Sequence, residues 1–190
     1  MSWIATYTGK SLDLLHPEPD QVHVIDIAVA LARMPRFAGH TTEFYSVAQH
    51  SVLTAWLCQR SLKLAALLYD ASKAYLCDLP LPIKQHLPEY RAAEDRLMRV
   101  IAGKYGFAWP VHSDVKQADA VMLETEHRDL MPHSPPWEQR HAEPLPDFTI
   151  EPWGMQEACV RLLENLSRYS DLAHEEAGEV EFCSKLTKVG

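Results

Sequence analysis

Long hydrophobic runs are absent from this sequence of 190 residues. No apolar segment approaches the roughly 18 residues that a membrane-spanning helix requires, so we expect no membrane span. The first residues show no basic start followed by a long apolar stretch, so we also expect no secretory signal peptide and a cytoplasmic location. Hydrophobic residues make up 47% and charged residues 23% of the chain, a composition typical of an ordinary globular domain.

Basic residues are in the minority, because 18 Lys and Arg stand against 26 Asp and Glu and the net charge is −8. This balance disfavours binding to a nucleic-acid polymer, although a local basic pocket can still bind one small anion. Cysteine pairs of the CxxC type are absent, so a zinc–thiolate site is not expected. We interpret the scattered cysteines as free, mostly buried thiols in a reducing compartment: Cys58, Cys77, Cys159 and Cys183.

Apolar residues recur at helical spacing through most of the chain, which predicts an all-α bundle in a single domain over residues 1–170. A short hairpin with Gly9 in its turn is predicted before the first helix. A proline-rich, irregular loop is predicted near 132–152 and a loosely held, acidic to mixed tail at 171–190. Helices are predicted over about 20–34, 42–60, 61–76, 89–105, 113–131 and 153–169, with Ser113 as a cap and Gly106 closing the helix that precedes it.

Three of these helices carry polar side chains on the face that should be buried. His50 points towards the bundle interior and, taken alone, is more simply a core histidine with one hydrogen bond. Asp119 shares a buried face with Glu126, and a buried carboxylate requires a cation. Asp70 lies in the most apolar helix, three residues before Lys73, so a plain buried Asp–Lys pair is one explanation. Three such groups on different helices indicate a metal site or its remnant.

The chain resembles the HD-domain phosphohydrolases, and within them the small bacterial and phage 5′-deoxynucleotidase-like group. The resemblance covers about residues 3 to 165 and implies an HD-type helical bundle, with a homodimer expected by analogy. It is carried in order by four stretches: "HPEPDQVHVIDIAVALARMPRFAGHTTEFYSVAQHSV", "ALLYDASKAYLCDLPLPIK", "YRAAEDRLMRVIAGKYG" and "VKQADAVMLETEHRDLM".

In that family a first His, a His-Asp pair and a distant Asp hold one divalent ion such as Mn²⁺ or Co²⁺. Carried over by motif, these ligands fall at His50, Asp70 and Asp119, with Tyr69 in place of the His of the pair. The family's water-orienting Glu falls at Lys73. A bound ion of this kind lowers the pKa of a coordinated water that attacks the phosphate.

The resemblance also implies the residues that would contact the substrate, a deoxynucleoside phosphate. Asp78 corresponds to the residue that protonates the leaving sugar oxygen, Arg36 to a phosphate-binding arginine, and Phe37 to its neighbour on the nucleoside. Lys84 and Glu126 complete the predicted binding set. Cys77 stands where the group usually has Gly.

Two residues depart from the family where its pattern is most restricted. The phenol of Tyr69 must lose a proton of pKa near 10 before it binds a divalent ion well. The ammonium of Lys73 repels such an ion and supplies a counter-charge itself. Three functional interpretations follow, beside a purely structural Asp–Lys bridge. The protein binds a nucleotide without metal, it hydrolyses one with a weakly held metal, or it uses Lys73 and Tyr69 as acid, base or nucleophile in other chemistry.

Overall fold

The computed structural model describes residues 3–135 and 141–178. Within these ranges the fold is mostly helical, with one small antiparallel sheet of two strands, so the predicted helical class is confirmed. The sheet is the predicted hairpin: β1 (Trp3–Ala5) pairs with β2 (Ser11–Asp13), and Gly9 adopts a φ of 84° in the connecting turn. Such a positive φ is readily available only to glycine.

The first two helices form the centre of the fold. Helix α1 (Val24–Arg33) buries the predicted apolar stripe together with most of its other residues. Helix α2 (Val47–Leu57) begins after Ser46, whose side chain accepts a hydrogen bond from the backbone N–H of Gln49. This cap satisfies one of the free N–H groups at the start of the helix. Because α2 is buried on almost every side, His50 is held inside the molecule.

The segment predicted as one helix over 61–76 is interrupted, so this part of the prediction is wrong. Helix α3 (Lys63–Leu67) ends before Tyr69, and α4 (Lys73–Leu76) begins after it. The turn between them has hydrogen bonds to the third residue back, including Lys73 N to Asp70 O at 3.0 Å. This tight winding places side chains at i and i+3 almost directly above one another. The carboxylate of Asp70 and the ammonium of Lys73 are thereby brought together.

The later predicted helices are confirmed, and one short helix that the sequence did not predict comes before them. Short α5 (Leu81–Lys84) is followed by α6 (Pro88–Tyr105), which Gly106 closes in the left-handed conformation, and by α7 (Ser113–Leu130). The cap of α7 is His112 and not Ser113, because the imidazole of His112 accepts from the N–H of Asp114. In the described part of 131–154 there is no helix or strand, and α8 (Met155–Tyr169) comes next.

The expected loose tail instead begins with a docked helix, α9 (Asp171–Gly178). The Glu176 carboxylate accepts from the backbone N–H of Val24 at 2.9 Å and from the Tyr105 hydroxyl at 2.8 Å. Its other oxygen lies 2.6 Å from Nζ of Lys104. These bonds join α9 to the start of α1 and the end of α6, so the domain extends at least to residue 178. Residues 179–190 of the predicted tail lie outside the described ranges.

The main core lies between α1, α2, α3 and α8, with α6, α7 and α9 packed around it. In the described ranges no helix combines the length and apolar character that a bilayer crossing would need. Cys58 and Cys159 are buried and Cys77 is exposed. Cys183 lies outside the described ranges.

Candidate functional site

One cavity of about 1240 Å³ opens beside the turn that separates α3 from α4. Its walls come from this turn, the segments around 36–40 and 78–82, and the facing sides of α6 and α7. All of the predicted site residues line it except two, His50 and Glu126, which lie behind its wall. The predicted residues in the wall are Arg36, Phe37, Tyr69, Asp70, Lys73, Asp78, Lys84 and Asp119.

Glu126 is the centre of the buried polar cluster behind the wall. Its Oε1 atom accepts hydrogen bonds from the Tyr45 hydroxyl at 2.8 Å and from Nδ1 of His50 at 2.5 Å. Its Oε2 atom accepts from Nη2 of Arg36 at 2.8 Å and from Nε at 3.3 Å. Burial opposes its ionisation, but Arg36 and His50 outweigh burial and hold the pKa of Glu126 well below its usual range. Glu126 therefore orients Arg36 and His50 and has no exposed surface of its own.

His50 connects this cluster to the carboxylates of the cavity. Its Nε2 atom lies 3.0 Å from Oδ1 of Asp119 and 3.7 Å from Oδ2 of Asp70. Burial and the Arg36 charge oppose protonation, but the carboxylates of Glu126 and Asp119 prevail and raise the pKa of His50 to about 9. The raised pKa favours the imidazolium form, which can donate from both nitrogens.

Lys73 supplies a second cation, whose side chain is mostly buried. Its Nζ atom lies 3.0 Å from Oδ2 of Asp70 and 2.9 Å from Oδ1 of Asp78. Burial opposes the charge of Lys73, but Asp70 and Asp78 raise its pKa above the ordinary value. Burial likewise opposes ionisation of Asp70, and Lys73 foremost among the cations lowers its pKa. The site therefore contains a fixed ammonium between two carboxylates.

Tyr69 remains a neutral phenol in this environment. Burial is the main cause that raises its pKa above the ordinary value, and the charges of Asp119 and Asp70 add to it. Its ring centroid lies 6.3 Å from that of Trp109, which also lines the cavity. Lys84, at another part of the wall, is paired with Glu94 at 2.5 Å.

Backbone conformations that non-glycine residues rarely adopt occur on both sides of the site. Phe37 and Ala38 each have a φ of 51°, and this turn directs Arg36 towards Glu126 while Phe37 faces the cavity. Cys77 has a φ of 69° and a ψ of 165°, in a region that is essentially restricted to glycine. Such conformations cost about 1–3 kcal/mol each and persist where the surrounding structure enforces them.

Sequence reasoning did not identify Tyr45 and Trp109 as part of the site. A buried tyrosine hydroxyl needs a hydrogen-bond partner, but nothing in the sequence indicates that Tyr45 is buried against Glu126. Trp109 follows α6 in a loop, where a lone aromatic residue gives no signal of the cavity it will face.

The arrangement does not fit the divalent ion that the resemblance implies. His50 Nε2 faces Asp119 and Asp70 at hydrogen-bonding and ion-pair distances, and the same Asp70 oxygen contacts the Lys73 ammonium. Across residues 3–135 and 141–178, no group of three or more His, Cys, Asp or Glu side chains is arranged to hold a metal ion. Lys73 and the His50 imidazolium supply the positive charge that the carboxylates require.

The fold and the site together define a mostly helical protein with a large cavity above a buried charged cluster. The chain belongs to the family of YfdR, a protein of Escherichia coli (strain K12) described as uncharacterized. The two sequences are 44% identical over 130 residues, which cover 68% of this chain and 73% of YfdR. It is also 34% identical over 143 residues to RCAP_rcc00048 of Rhodobacter capsulatus, likewise described as uncharacterized, with 73% of that protein covered. No family model matches the chain.

Proposed function

We propose that this chain is an HD-type, phosphohydrolase-like protein that binds a nucleotide of the deoxynucleoside phosphate class without a divalent metal at its centre. The observation that carries the proposal is the position of two cations, the buried Arg36 and the mostly buried Lys73, in the wall of one cavity large enough for a nucleotide. Ligand pockets usually measure about 300–1,000 Å³, so the volume is ample. The motif resemblance supplies the class of ligand.

Arg36 is suited to bind the phosphate. Its Nε and Nη2 atoms are held by Glu126, so the guanidinium is fixed in orientation and can present Nη1 to a ligand. A guanidinium positioned in this way binds phosphate oxygens with little further loss of side-chain freedom. The Phe37 ring lies beside it, with its centroid 5.2 Å from Arg36 Cζ, where it can cover an apolar part of the ligand.

Lys73 has a second role in the proposal, as the cation that stabilises the centre of the site. A phosphate that enters near Lys73 competes with Asp70 and Asp78 for its three N–H donors. The ammonium can keep its bond to one carboxylate and donate another to the ligand. Binding therefore requires no change in the protonation of Lys73.

Hydrolysis is expected to be weak or lost because Lys73 and Tyr69 stay protonated and Asp78 is already paired. The raised pKa values of Lys73 and Tyr69 keep both groups protonated, so neither is suited to act as a base towards water. Asp78, the proton donor implied by the resemblance, is instead ion-paired with Lys73. The same shifts weigh against other chemistry in which Lys73 or Tyr69 is a nucleophile.

One observation favours the second candidate, a hydrolase with a weakly held metal. Nδ1 of His50 is fixed on the Glu126 carboxylate and Nε2 faces Asp70 and Asp119, which is the carboxylate–histidine pattern typical of metal ligands. Such a site would require displacement of Lys73 and deprotonation of His50.

The homodimer stays a prediction, which sedimentation analysis can test.

The test is to titrate the purified protein with deoxynucleoside 5′-monophosphates by calorimetry, once with EDTA and once with Mn²⁺, and to assay phosphate release in parallel. We expect binding that EDTA does not weaken, with little or no phosphate release. The Tyr69→His plus Lys73→Glu double variant is the matched comparison, and we expect it to gain Mn²⁺ binding and phosphate release. Failure of every nucleotide to bind would refute the proposal, and Mn²⁺-dependent turnover by the unaltered chain would favour the second candidate.

A further inference from the structure

Two aromatic rings face the cavity next to its charged end. The rings of Tyr69 and Trp109 both line the cavity, with centroids 6.3 Å apart and planes inclined by 42°. Tyr69 directly precedes Asp70 in the chain, so the aromatic pair lies next to the charged cluster. Both side chains are half-buried and therefore keep part of their surface open to the cavity.

One hydrogen bond fixes the ring of Trp109 and leaves part of its π surface facing the cavity. Its Nε1–H, the only donor of the side chain, bonds to Oδ1 of Asp95 at 2.9 Å. Asp95 is held in turn by Nε of Arg99 at 2.9 Å. The indole can therefore offer a ligand only its apolar and π surface, in an orientation that is set before the ligand arrives.

We propose that Tyr69 and Trp109 form an aromatic wall on which the base of the nucleotide stacks, while Arg36 and Lys73 bind its phosphate. The inference rests on the proposed function and adds a role that the motif resemblance does not assign to either residue. Stacking on aromatic side chains accepts every base, because every base has a π face. The wall thus gives affinity for nucleosides as a class. In this role Tyr69 acts through its ring and not through its hydroxyl.

The experiment compares two ligands that differ only in the base. Deoxyadenosine 5′-monophosphate and 2-deoxyribose 5-phosphate are titrated calorimetrically into the full chain. We expect the nucleotide to bind about 5- to 150-fold more tightly, the range that stacking on aromatic residues supplies. In Trp109→Ala this difference should shrink towards equality, through weaker binding of the nucleotide and not through tighter binding of the sugar phosphate.

Conservative variants separate the ring from its polar atom. Trp109→Phe keeps a ring but loses the bond to Asp95, and Tyr69→Phe keeps the ring but loses the hydroxyl; both should retain most of the preference for the nucleotide. Trp56→Ala is the matched control, because Trp56 is exposed, packs on Phe148 and does not line the cavity. Thermal unfolding of each variant shows whether the fold is kept.

The outcomes distinguish the inference from the proposed function. Equal affinities of the unaltered chain for nucleotide and sugar phosphate would overturn the aromatic wall and leave phosphate binding intact. Binding of neither ligand would overturn both. Equal losses of nucleotide affinity in Trp109→Ala and Trp109→Phe would show that the bond to Asp95 matters and the ring does not, which also overturns the inference.

Discussion

The Nζ atom of Lys73 lies 3.0 Å from Oδ2 of Asp70, in a turn where both residues have little contact with solvent. Asp78 shares the same ammonium at 2.9 Å. Removal of one member of a buried ion pair leaves an uncompensated charge, which costs far more than the net contribution of the intact pair. Lys73 is therefore expected to stabilise the folded site itself, in addition to its proposed role in binding a ligand.

We expect Lys73→Met to lower the free energy of unfolding by about 3–5 kcal/mol, because Asp70 and Asp78 lose their counter-charge. Chemical denaturation measures the change. Addition of Asp70→Asn to this variant should recover part of the loss. Lys116→Met is the control, since Lys116 is exposed on α7 and should shift stability by no more than about 0.5 kcal/mol. A loss as small as that of the control would show that Lys73 does not stabilise the turn.

Cys77→Gly should stabilise the protein. The φ of 69° and ψ of 165° at this position suit glycine alone, and the exposed Cys77 side chain has little burial to lose. We expect a gain of about 1–2 kcal/mol from relief of this conformation. Gly106→Ala is the reciprocal control, because its φ of 80° in open surroundings should cost about 1 kcal/mol. A loss of stability in Cys77→Gly would contradict the strained conformation.

Acid should release α9 through Glu176. Burial opposes ionisation of this carboxyl, but hydrogen bonds from Lys104, Val24 N–H and Tyr105 prevail and lower its pKa. The pKa of Glu176 is thus lower in the folded than in the unfolded protein. Its contribution to stability is therefore complete above about pH 4.5 and is lost as the pH falls through the folded-state pKa.

The measurement is thermal unfolding between pH 3 and pH 7. Glu176→Gln should lower the melting temperature at pH 7. It should also reduce the fall in melting temperature between pH 7 and pH 3. Glu175→Gln is the matched control on the same helix, since Glu175 is exposed. Identical pH profiles for the two variants would rule out Glu176 as the cause.

Tyr45→Phe removes one of the donors that hold Glu126. The hydroxyl of Tyr45 donates to Oε1 at 2.8 Å in a fully buried setting, and a hydrogen bond to a charged group contributes about 1.5–3 kcal/mol. We expect destabilisation in that range and weaker nucleotide binding through Arg36. Tyr169→Phe, at a ring that packs against Arg60 outside this cluster, should have a smaller effect on unfolding by denaturant. Equal destabilisation by Tyr45→Phe and Tyr169→Phe would show that the hydrogen bond from Tyr45 to Glu126 does not stabilise the protein.

The helices that the sequence predicted well are those with a clear apolar stripe, such as α1 and α6. The turn at 68–72 was missed because residues 61–76 are nearly all apolar or small and contain no Gly or Pro to indicate a break. The backbone there bonds to the third residue back, a tighter winding that no local pattern in the sequence encodes. For the same reason the docked α9 was mistaken for a loose tail: its anchor, Glu176, looks like one of several surface acids.

The residues that the resemblance singles out lie in the wall of one cavity or directly behind it. The spacing of Asp70 and Lys73 predicted their contact. The second partner of Lys73, Asp78, lies across a turn whose conformation depends on the unusual backbone of Cys77. The left-handed turn at Phe37 and Ala38 was equally hidden, because neither residue type favours it. Such conformations are set by the surrounding structure and become visible only with it.

The bond between Glu176 and the backbone N–H of Val24 spans 152 residues of chain. On the ribosome the start of α1 emerges long before its partner, so the first turn of α1 remains incomplete until translation has passed nearly the whole domain. The closing contact links the order of synthesis to the order of folding. A nascent chain arrested before α9 leaves Lys104 without its carboxylate partner and exposes the start of α1. Partly synthesised chains are therefore the state in which chaperones and proteases would encounter this surface.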